Sequence, residues 1–266
     1  MDWDDAYANA THIPGGADFP AQWRRDSDAF RKTMSVLGRA RLGVMYGHGP
    51  REVVDIFLPD RTPKGVLIFV HGGFWRMFDG ASWSHFAKGA QSAGWVVAMP
   101  TYDLCPRVRI ADITRQIAQA ISVVAHEFAG PIRLCGHSAG GHLVSRMLAP
   151  GLLPKDVLSR IQKSVPISPV ADLRPLLNTR MNDDFQLDAA SAAAESPVLM
   201  PAPSVAVTVW VGGDERPAFL DQARWLAEAW NCEHIIEPGK HHFDVINGLL
   251  DANSPLMRSL LEPVDA

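Results

Sequence analysis

Short apolar runs rich in β-branched residues alternate with segments of helical periodicity along most of this 266-residue chain. A run such as Val66–Val70 is typical of a strand buried on both faces of a parallel sheet. The segment Ile110–Phe128 instead carries apolar residues at the i, i+3, i+4, i+7 spacing of an amphipathic helix. Strands separated by such helices predict an α/β fold with a mostly parallel central sheet and helices on both faces.

These two patterns divide most of the chain into elements. Strands are predicted at Val53–Leu58, Val66–Val70, Trp95–Met99, Ile132–Cys135, Lys163–Ile167, Val205–Val211 and Glu233–Ile236. Helices are predicted at Ile110–Phe128, Gly140–Leu148, Ala218–Trp230 and Phe243–Leu250, with a short one at Ala189–Ala194 in an irregular stretch that extends to about Pro203. Residues 1–40 show no strand pattern and predict a helical N-terminal arm that packs on the main domain.

The composition fits one globular domain that acts on a small molecule. The chain is 47% apolar and large enough for a full core, and α/β folds of roughly 250 residues commonly form a single domain. With 25 basic and 29 acidic residues and no basic block, the net charge of −4 argues against nucleic acid or an anionic membrane as a partner. The normal apolar content excludes intrinsic disorder.

The N-terminus and the cysteines favour a cytoplasmic protein. The first residues are acidic and polar, unlike a signal peptide, and no run approaches the ~18 apolar residues of a spanning helix. The three cysteines lie far apart without a CxxC pair, which is typical of reduced thiols. The ten histidines show no HxxxD or HExxH spacing, so neither a metal nor another cofactor is expected.

The sharpest motif is GHSAG (residues 136–140), a G-x-S-x-G sequence between a predicted strand and a predicted helix. Glycines are needed there because a strand that turns directly into a helix crowds the backbone around the middle residue. Ser138 can then hold its hydroxyl above the sheet, where the N-terminus of the next helix offers N–H groups to an oxyanion. We expect Ser138 to be a nucleophile, and an ordinary turn serine is the alternative.

A serine hydroxyl is a poor nucleophile near neutral pH, so it needs a base and an orienting acid. In sheets of this type the three residues follow in the order Ser, Asp or Glu, His, each after a later strand. Asp214 and His242 each follow a predicted strand in that order. We therefore expect them to be the catalytic partners of Ser138.

The residues alone leave alternatives to both partners. Glu215 is adjacent to Asp214, and His241 is adjacent to His242, so spacing does not exclude either neighbour. Each expected partner could also cap a helix. Asp244 is expected to start the last helix rather than to act as an acid.

A second motif, HGGFW (residues 71–75), directly follows a predicted buried strand. Consecutive glycines let a backbone approach a substrate closely and direct its N–H groups inward. The N–H groups of Gly72 and Gly73, with that of Ala139, are predicted to hold the oxyanion of a tetrahedral intermediate. A plain glycine turn is the alternative, and His71 is expected to brace the loop by hydrogen bonding.

These motifs resemble those of the α/β-hydrolase superfamily. HGGFW, GHSAGG, GGDE and HHFDVI are similar to the branch that shares an HGG loop with hormone-sensitive-lipase-type esterases. Within that branch, HGGFW, YDLCP (residues 102–106) and HFDVI (residues 242–246) resemble the kynurenine formamidases, or arylformamidases, over roughly residues 44–250. The resemblance implies the α/β-hydrolase fold. The site residues that it implies are Ser138 (nucleophile), Asp214 and His242 (its partners), and Gly72, Gly73 and Ala139 (oxyanion donors).

A formamide substrate suits these residues. Attack on a formyl carbon needs almost no acyl pocket, whereas an aniline-type leaving group needs a flat apolar wall and a proton from His242. The aromatic candidates for that wall, which could instead pack against helices, are Phe74, Trp75, Phe78, Trp83 and Tyr102. Arg107 and Arg109 either bind an amino-acid carboxylate or are solvated surface residues.

Three functions are consistent with the sequence. The first is an arylformamidase that releases formate from N-formylkynurenine through a formyl-enzyme, and the second is a carboxylesterase for short acyl esters. The third is a non-catalytic α/β-hydrolase-fold binding protein, which is expected to have lost part of the triad or the HGG loop. The N-terminal arm either covers the active site or forms contacts in a homodimer.

Overall fold

A computed structural model describes residues 2–263, which form one eight-stranded sheet. The strands are β1 (Ala40–Met45), β2 (Val53–Phe57), β3 (Val66–Val70), β4 (Val96–Pro100), β5 (Ile132–His137), β6 (Ile161–Ile167), β7 (Ala206–Gly212) and β8 (Glu233–Glu237). Their order is β1-β2-β4-β3-β5-β6-β7-β8, with β1 and β2 antiparallel to their neighbours and the other pairs parallel. The expected mostly parallel sheet is confirmed.

Helices cover both faces of this sheet. In residues 2–263 the α-helices are α1 (Trp3–Ala6), α2 (Phe19–Val36), α3 (Lys88–Ser92), α4 (Ile110–Glu127), α5 (Ala139–Arg146), α6 (Lys155–Leu158), α7 (Asn182–Phe185), α8 (Ala189–Ala194), α9 (Pro217–Trp230) and α10 (Pro255–Leu261). Short 3₁₀ helices occupy Ala10–His12, Gly16–Asp18, Gly80–Ala87, Arg174–Asn178, Pro197–Leu199 and Val245–Leu250. The expected α-helix at Phe243–Leu250 is thus a shorter 3₁₀ helix, in a segment where Gly248 lowers helix propensity. No helix in the described part of the chain has the length and apolarity needed to cross a bilayer.

Strand β3 shows why its sequence is apolar at every position. Val66, Ile68 and Val70 belong to the hydrophobic cluster on one face of the sheet, whereas Leu67 and Phe69 belong to the cluster on the other face. Helices α4 and α9 contribute to the first cluster, and α2 and α10 contribute to the second. Since successive side chains of a strand point to opposite faces, such a run is favourable only in a sheet covered on both sides.

Strand β1, at one edge of the sheet, is absent from the predicted strands. Its side chains are largely exposed, so its sequence lacks the apolar run that marks the central strands. A bulge between Arg41 and Val44 also breaks its register with β2. At this bulge Gly43 has φ +66° and donates its N–H to Asp55 Oδ1 at 2.8 Å.

The N-terminal arm is helical and packs on the sheet mainly through α2. Trp23 of α2 packs on Trp83, with 4.7 Å between the ring centroids. Arg31 of the same helix forms an ion pair with the buried carboxylate of Asp55 in β2 and donates to Ser84 Oγ at 3.1 Å. An apolar contact and an ion pair therefore both help to fix the arm on the domain.

We expect Arg31→Met to lower the free energy of unfolding by about 3 kcal/mol, because the buried Asp55 carboxylate would lose its charged partner. Arg25→Met is the matched control, since Arg25 lies on the same helix and is exposed. Urea unfolding of the two variants measures the difference. Equal stabilities would contradict a stabilising role for the ion pair.

Candidate active site

Ser138 lies between β5, which ends at His137, and α5, which begins at Ala139. Its backbone has φ 56° and ψ −116°, and a positive φ is uncommon for a residue with a side chain. The residue is 3% exposed. Because the strand passes into the helix without an intervening loop, Ser138 is held at the carboxyl edge of the sheet beside the first N–H groups of α5.

The two glycines of the motif are required by the approach of neighbouring backbone. A Cβ atom on Gly136 would stand 2.3 Å from the carbonyl oxygen of Gly140. A Cβ atom on Gly140 would stand 1.9 Å from the carbonyl oxygen of Val70, at the end of β3. Either atom would force the backbone apart, so the sharp turn at Ser138 depends on glycine at both positions.

The imidazole of His242 reaches the same edge of the sheet from the loop after β8. Its Nδ1 lies 2.6 Å from Glu215 Oε2, and both side chains are buried. A carboxylate only accepts hydrogen bonds, so Nδ1 carries a proton, and whenever the ring is neutral its Nε2 presents a lone pair. This is the tautomer that a base for a serine nucleophile requires.

The expected pairing of His242 with Asp214 is wrong. Asp214 is exposed, whereas Glu215 turns its carboxylate inward. The chain leaves β7 in a tight turn, in which the Glu215 N–H donates to the Gly212 carbonyl oxygen at 3.3 Å and Glu215 Oε1 accepts the Gly212 N–H at 2.9 Å. This turn directs position 215 toward His242 and position 214 toward solvent. Counting residues from the strand end cannot separate two adjacent acids.

Ser168, directly after β6, completes the surroundings of the Glu215 carboxylate. Its Oγ donates to Glu215 Oε1, the oxygen that also accepts the Gly212 N–H. Ser168 is fully buried and has φ +47°, a backbone conformation that persists only where the surrounding structure holds it. Sequence reasoning missed Ser168, whose signal is a single polar residue after the predicted strand Lys163–Ile167.

His137, beside Ser138, holds the loop that carries His242. Its Nε2 donates to the His242 carbonyl oxygen at 2.8 Å, and the two rings lie 4.5 Å apart. Burial, and then the neighbouring His242 imidazole, lower the pKa of His137 well below its usual value, so the ring is neutral. The His241 ring is engaged elsewhere, since its Nδ1 accepts the backbone N–H of Phe243 at 3.1 Å.

The HGG loop lies against Ser138. A Cβ atom on Gly72 would stand 3.2 Å from Ser138 Cβ, and Gly73 has φ +109°. The expectation that His71 braces the loop is confirmed: its Nδ1 donates to the Gly72 carbonyl oxygen at 2.7 Å, and burial lowers its pKa to about 4. Tyr102 stacks on the His71 ring at 4.2 Å and donates its hydroxyl to the His71 carbonyl oxygen at 2.9 Å.

Ser138 and His242 line one cavity of about 680 Å³, and Gly73 forms part of its wall. The His242 side chain is hydrogen-bonded to Glu215. Within residues 2–263 no hydrogen bond joins the His242 ring to Ser138 Oγ. Such catalytic contacts often tighten only when substrate binds. No three His, Cys, Asp or Glu side chains in this part of the chain are grouped closely enough to hold a metal ion.

Aromatic side chains supply much of the cavity wall, although not all of the expected ones. The predicted residues that line the cavity are Phe74, Phe78 and Trp83. The prediction that Trp75 and Tyr102 contact a ligand is wrong. Trp75 has φ 54°, which turns its ring into the core against Phe185, and Tyr102 is fully buried beside His71.

The N-terminal arm forms another part of the wall, with Tyr7, Asn9 and Trp23 among the residues that line the cavity. The Tyr7 hydroxyl accepts a hydrogen bond from Gln222 at 2.8 Å, and burial raises its pKa to about 12. The arm is expected either to cover the site or to form dimer contacts. In the structure it lies over the site. Tyr7 and Trp23 are conspicuous aromatic residues of the arm, but they carry no motif, so the sequence leaves open whether they face the site or a partner.

Residues 67–230 match a family model whose description is alpha/beta hydrolase fold. The chain belongs to this α/β-hydrolase family. It is 26% identical over 244 residues to a kynurenine formamidase from Salmo salar, which covers 85% of this chain and 82% of the relative. The family match and the kynurenine formamidase relatives together show that this chain is a hydrolase.

Two solved structures resemble the hydrolase to different degrees. A protein from Silicibacter sp. tm1040, described provisionally as a thioesterase, has a TM-score of 0.96 at 56% identity and covers 98% of this chain and 99% of its own. An esterase from Pyrobaculum calidifontis has a TM-score of 0.69 at 16% identity and covers 90% of this chain and 89% of its own. At that identity the second likeness concerns the fold alone.

The two adjacent acids of the hydrolase are expected to behave differently on substitution. Glu215→Gln should lower kcat about 10⁴-fold, because His242 would lose the carboxylate that fixes its tautomer and stabilises its charge. Asp214→Asn should leave kcat unchanged, since Asp214 is exposed. Steady-state kinetics on p-nitrophenyl acetate measure both, and a larger loss in Asp214→Asn would refute the assignment of Glu215.

Ser168→Ala is expected to lower kcat about 10-fold, because the Glu215 carboxylate would lose one charged hydrogen bond. Ser164→Ala is the matched control: Ser164 lies on β6, is fully buried, and its Oγ has no hydrogen-bond partner in the residues described. Ester hydrolysis and thermal unfolding are measured for both variants. An equal loss of activity in the two would assign the effect to packing of β6.

Proposed function

We propose that this hydrolase cleaves the formamide bond of N-formylkynurenine through a formyl-enzyme on Ser138, releasing kynurenine and formate. The observation that carries the proposal is that Ser138, His242 and Gly73 line one cavity with aromatic walls, with Glu215 hydrogen-bonded to His242 and Gly72 packed against Ser138. The kynurenine formamidases of Salmo salar and Danio rerio, matched over 85% and 84% of this chain, support the choice of substrate.

In the first half of the reaction, His242 Nε2 takes the proton of Ser138 Oγ while that oxygen bonds to the formyl carbon. The carbonyl electron pair moves onto its oxygen, and we assign the N–H groups of Gly72, Gly73 and Ala139 as donors to this oxyanion. One such donor is typically worth ~3–4 kcal/mol of barrier. His242 then gives its proton to the aniline nitrogen, the C–N bond breaks, and the formyl group stays on Ser138 as an ester.

In the second half, a water molecule takes the place of the leaving amine. The oxygen of this water attacks the formyl ester while His242 accepts one of its protons. The proton then passes to Ser138 Oγ as formate leaves. The Glu215 carboxylate stabilises the imidazolium in both halves without accepting its proton.

The cavity suits a small acyl group joined to a large flat leaving group. A formyl group occupies little space, so most of a volume of about 680 Å³ is left for the amine. Trp23, Phe78 and Trp83 line this space and offer the ring faces and edges against which an aromatic ketone packs.

An ester or thioester hydrolase is the second candidate, and it would use the same residues. The relative from Silicibacter sp. tm1040, described provisionally as a thioesterase, favours it through 56% identity over 98% of this chain. Expulsion of an alcohol or a thiol demands less protonation than expulsion of an aniline nitrogen, so a triad that cleaves the formamide also cleaves activated esters.

Wild type and Ser138→Ala are compared on N-formylkynurenine, p-nitrophenyl acetate and S-phenyl thioacetate. We expect the highest kcat/KM on N-formylkynurenine, and we expect Ser138→Ala to lose both turnover and labelling by a serine-directed phosphonate, because the nucleophile is gone. A formamide that is inert while an ester or thioester turns over would favour the second candidate. Turnover retained in Ser138→Ala would overturn the serine mechanism itself.

A further inference from the structure

The cavity wall carries charged side chains that the reaction at Ser138 does not use. Among the described residues that line it, these are Asp4, Arg76 and Arg180. Arg76 directly follows the HGGFW loop, whereas Asp4 lies in α1 and Arg180 lies between β6 and α7. Three distant parts of the chain therefore bring charge to the cavity that holds the nucleophile.

Each of the two arginines is held by a carboxylate and keeps donors available. Arg180 Nε lies 2.7 Å from Asp4 Oδ2, and Arg76 Nε lies 2.6 Å from Asp184 Oδ2. In residues 2–263 the Nη groups of both arginines donate to no other residue, and the side chains are 36% (Arg76) and 87% (Arg180) exposed. A guanidinium has five N–H donors in a planar fork, so each one retains an edge that can bind a carboxylate through two hydrogen bonds.

The charges of this group match a ligand that carries both signs. Together with Asp184, which pairs with Arg76 from outside the cavity lining, the two arginines and two aspartates have no net charge. A ligand with only negative groups therefore meets as much repulsion as attraction. A polyanionic acyl carrier would instead call for an excess of basic side chains. A zwitterion satisfies the free arginine donors and the aspartate together, while the aromatic walls of the same cavity accept its ring.

We propose that Asp4, Arg76 and Arg180 form a subsite for the amino-acid headgroup of an aromatic zwitterionic substrate. The α-carboxylate binds the arginines, and the α-ammonium binds Asp4. This inference rests on the proposed function, since N-formylkynurenine carries both groups on one carbon atom. Arg107 and Arg109, the candidates from the sequence, do not line the cavity.

Competitive inhibition of p-nitrophenyl acetate hydrolysis tests the subsite without formamide turnover. The two inhibitors are L-kynurenine and 2-aminoacetophenone, which keeps the ring and the ketone but lacks the amino-acid group. Arg76→Gln, Arg180→Gln and Asp4→Asn are expected to raise the Ki of L-kynurenine about 10-fold, because each removes a charged hydrogen bond. The Ki of 2-aminoacetophenone is expected to change by less than about two-fold, since it makes no such bond.

Asp4 and Arg180 also tie the arm to the domain, so the control must loosen the arm without changing the cavity. Asp5 Oδ2 lies 2.6 Å from Arg216 Nη2 in a second contact of α1, and Asp5 does not line the cavity. Asp5→Asn is therefore expected to change neither Ki by more than about two-fold.

Three results would overturn the subsite. They are an equal effect of Asp5→Asn and Asp4→Asn, equal weakening of the two inhibitors, and absence of inhibition of the wild type by L-kynurenine. Failure of the proposed function looks different, because N-formylkynurenine is then not hydrolysed while L-kynurenine still inhibits in a manner that depends on Arg180.

Discussion

Beside Ser138, the start of α5 lies closer to the end of β3 than any side chain would permit. A Cβ on Gly140 would overlap the carbonyl oxygen of Val70, so this contact exists only between bare backbones. It sets the direction in which the chain leaves β5 and hence the position of Ser138. Because β3 continues directly into the HGG loop, the same contact also fixes the expected oxyanion donors relative to the serine.

The second constraint is a carboxylate removed from water. Burying a charge is costly unless its oxygens are bonded, and Glu215 receives donors from Ser168, Gly212 and His242. These three donors come from the ends of β6 and β7 and from the loop after β8. The orientation of the imidazole therefore depends on three neighbouring strand ends. For this reason one small turn after β7 decides which of the two acids pairs with His242.

The sequence predicts well whatever depends on a local steric or hydrophobic rule. The run in β3 and the glycines around Ser138 are of this kind, because no other residue types satisfy a sheet covered on both faces or a strand that turns into a helix. The choice of Glu215 over Asp214 does not follow from such a rule, since it depends on how one turn folds. Likewise, the ring of Trp75 lies in the core because its backbone has a positive φ, and that conformation cannot be predicted from its side chain.

The arm forms part of the cavity wall, whereas the proposed catalytic residues Ser138, Glu215 and His242 all come from the sheet domain. Helices α1 and α2 precede the first strand, so the wall they supply is contiguous at one end of the chain. Divergence confined to the first 36 residues can thus change which molecules are admitted while the chemical apparatus is inherited intact. Ligand preference and bond cleavage are free to evolve at different rates.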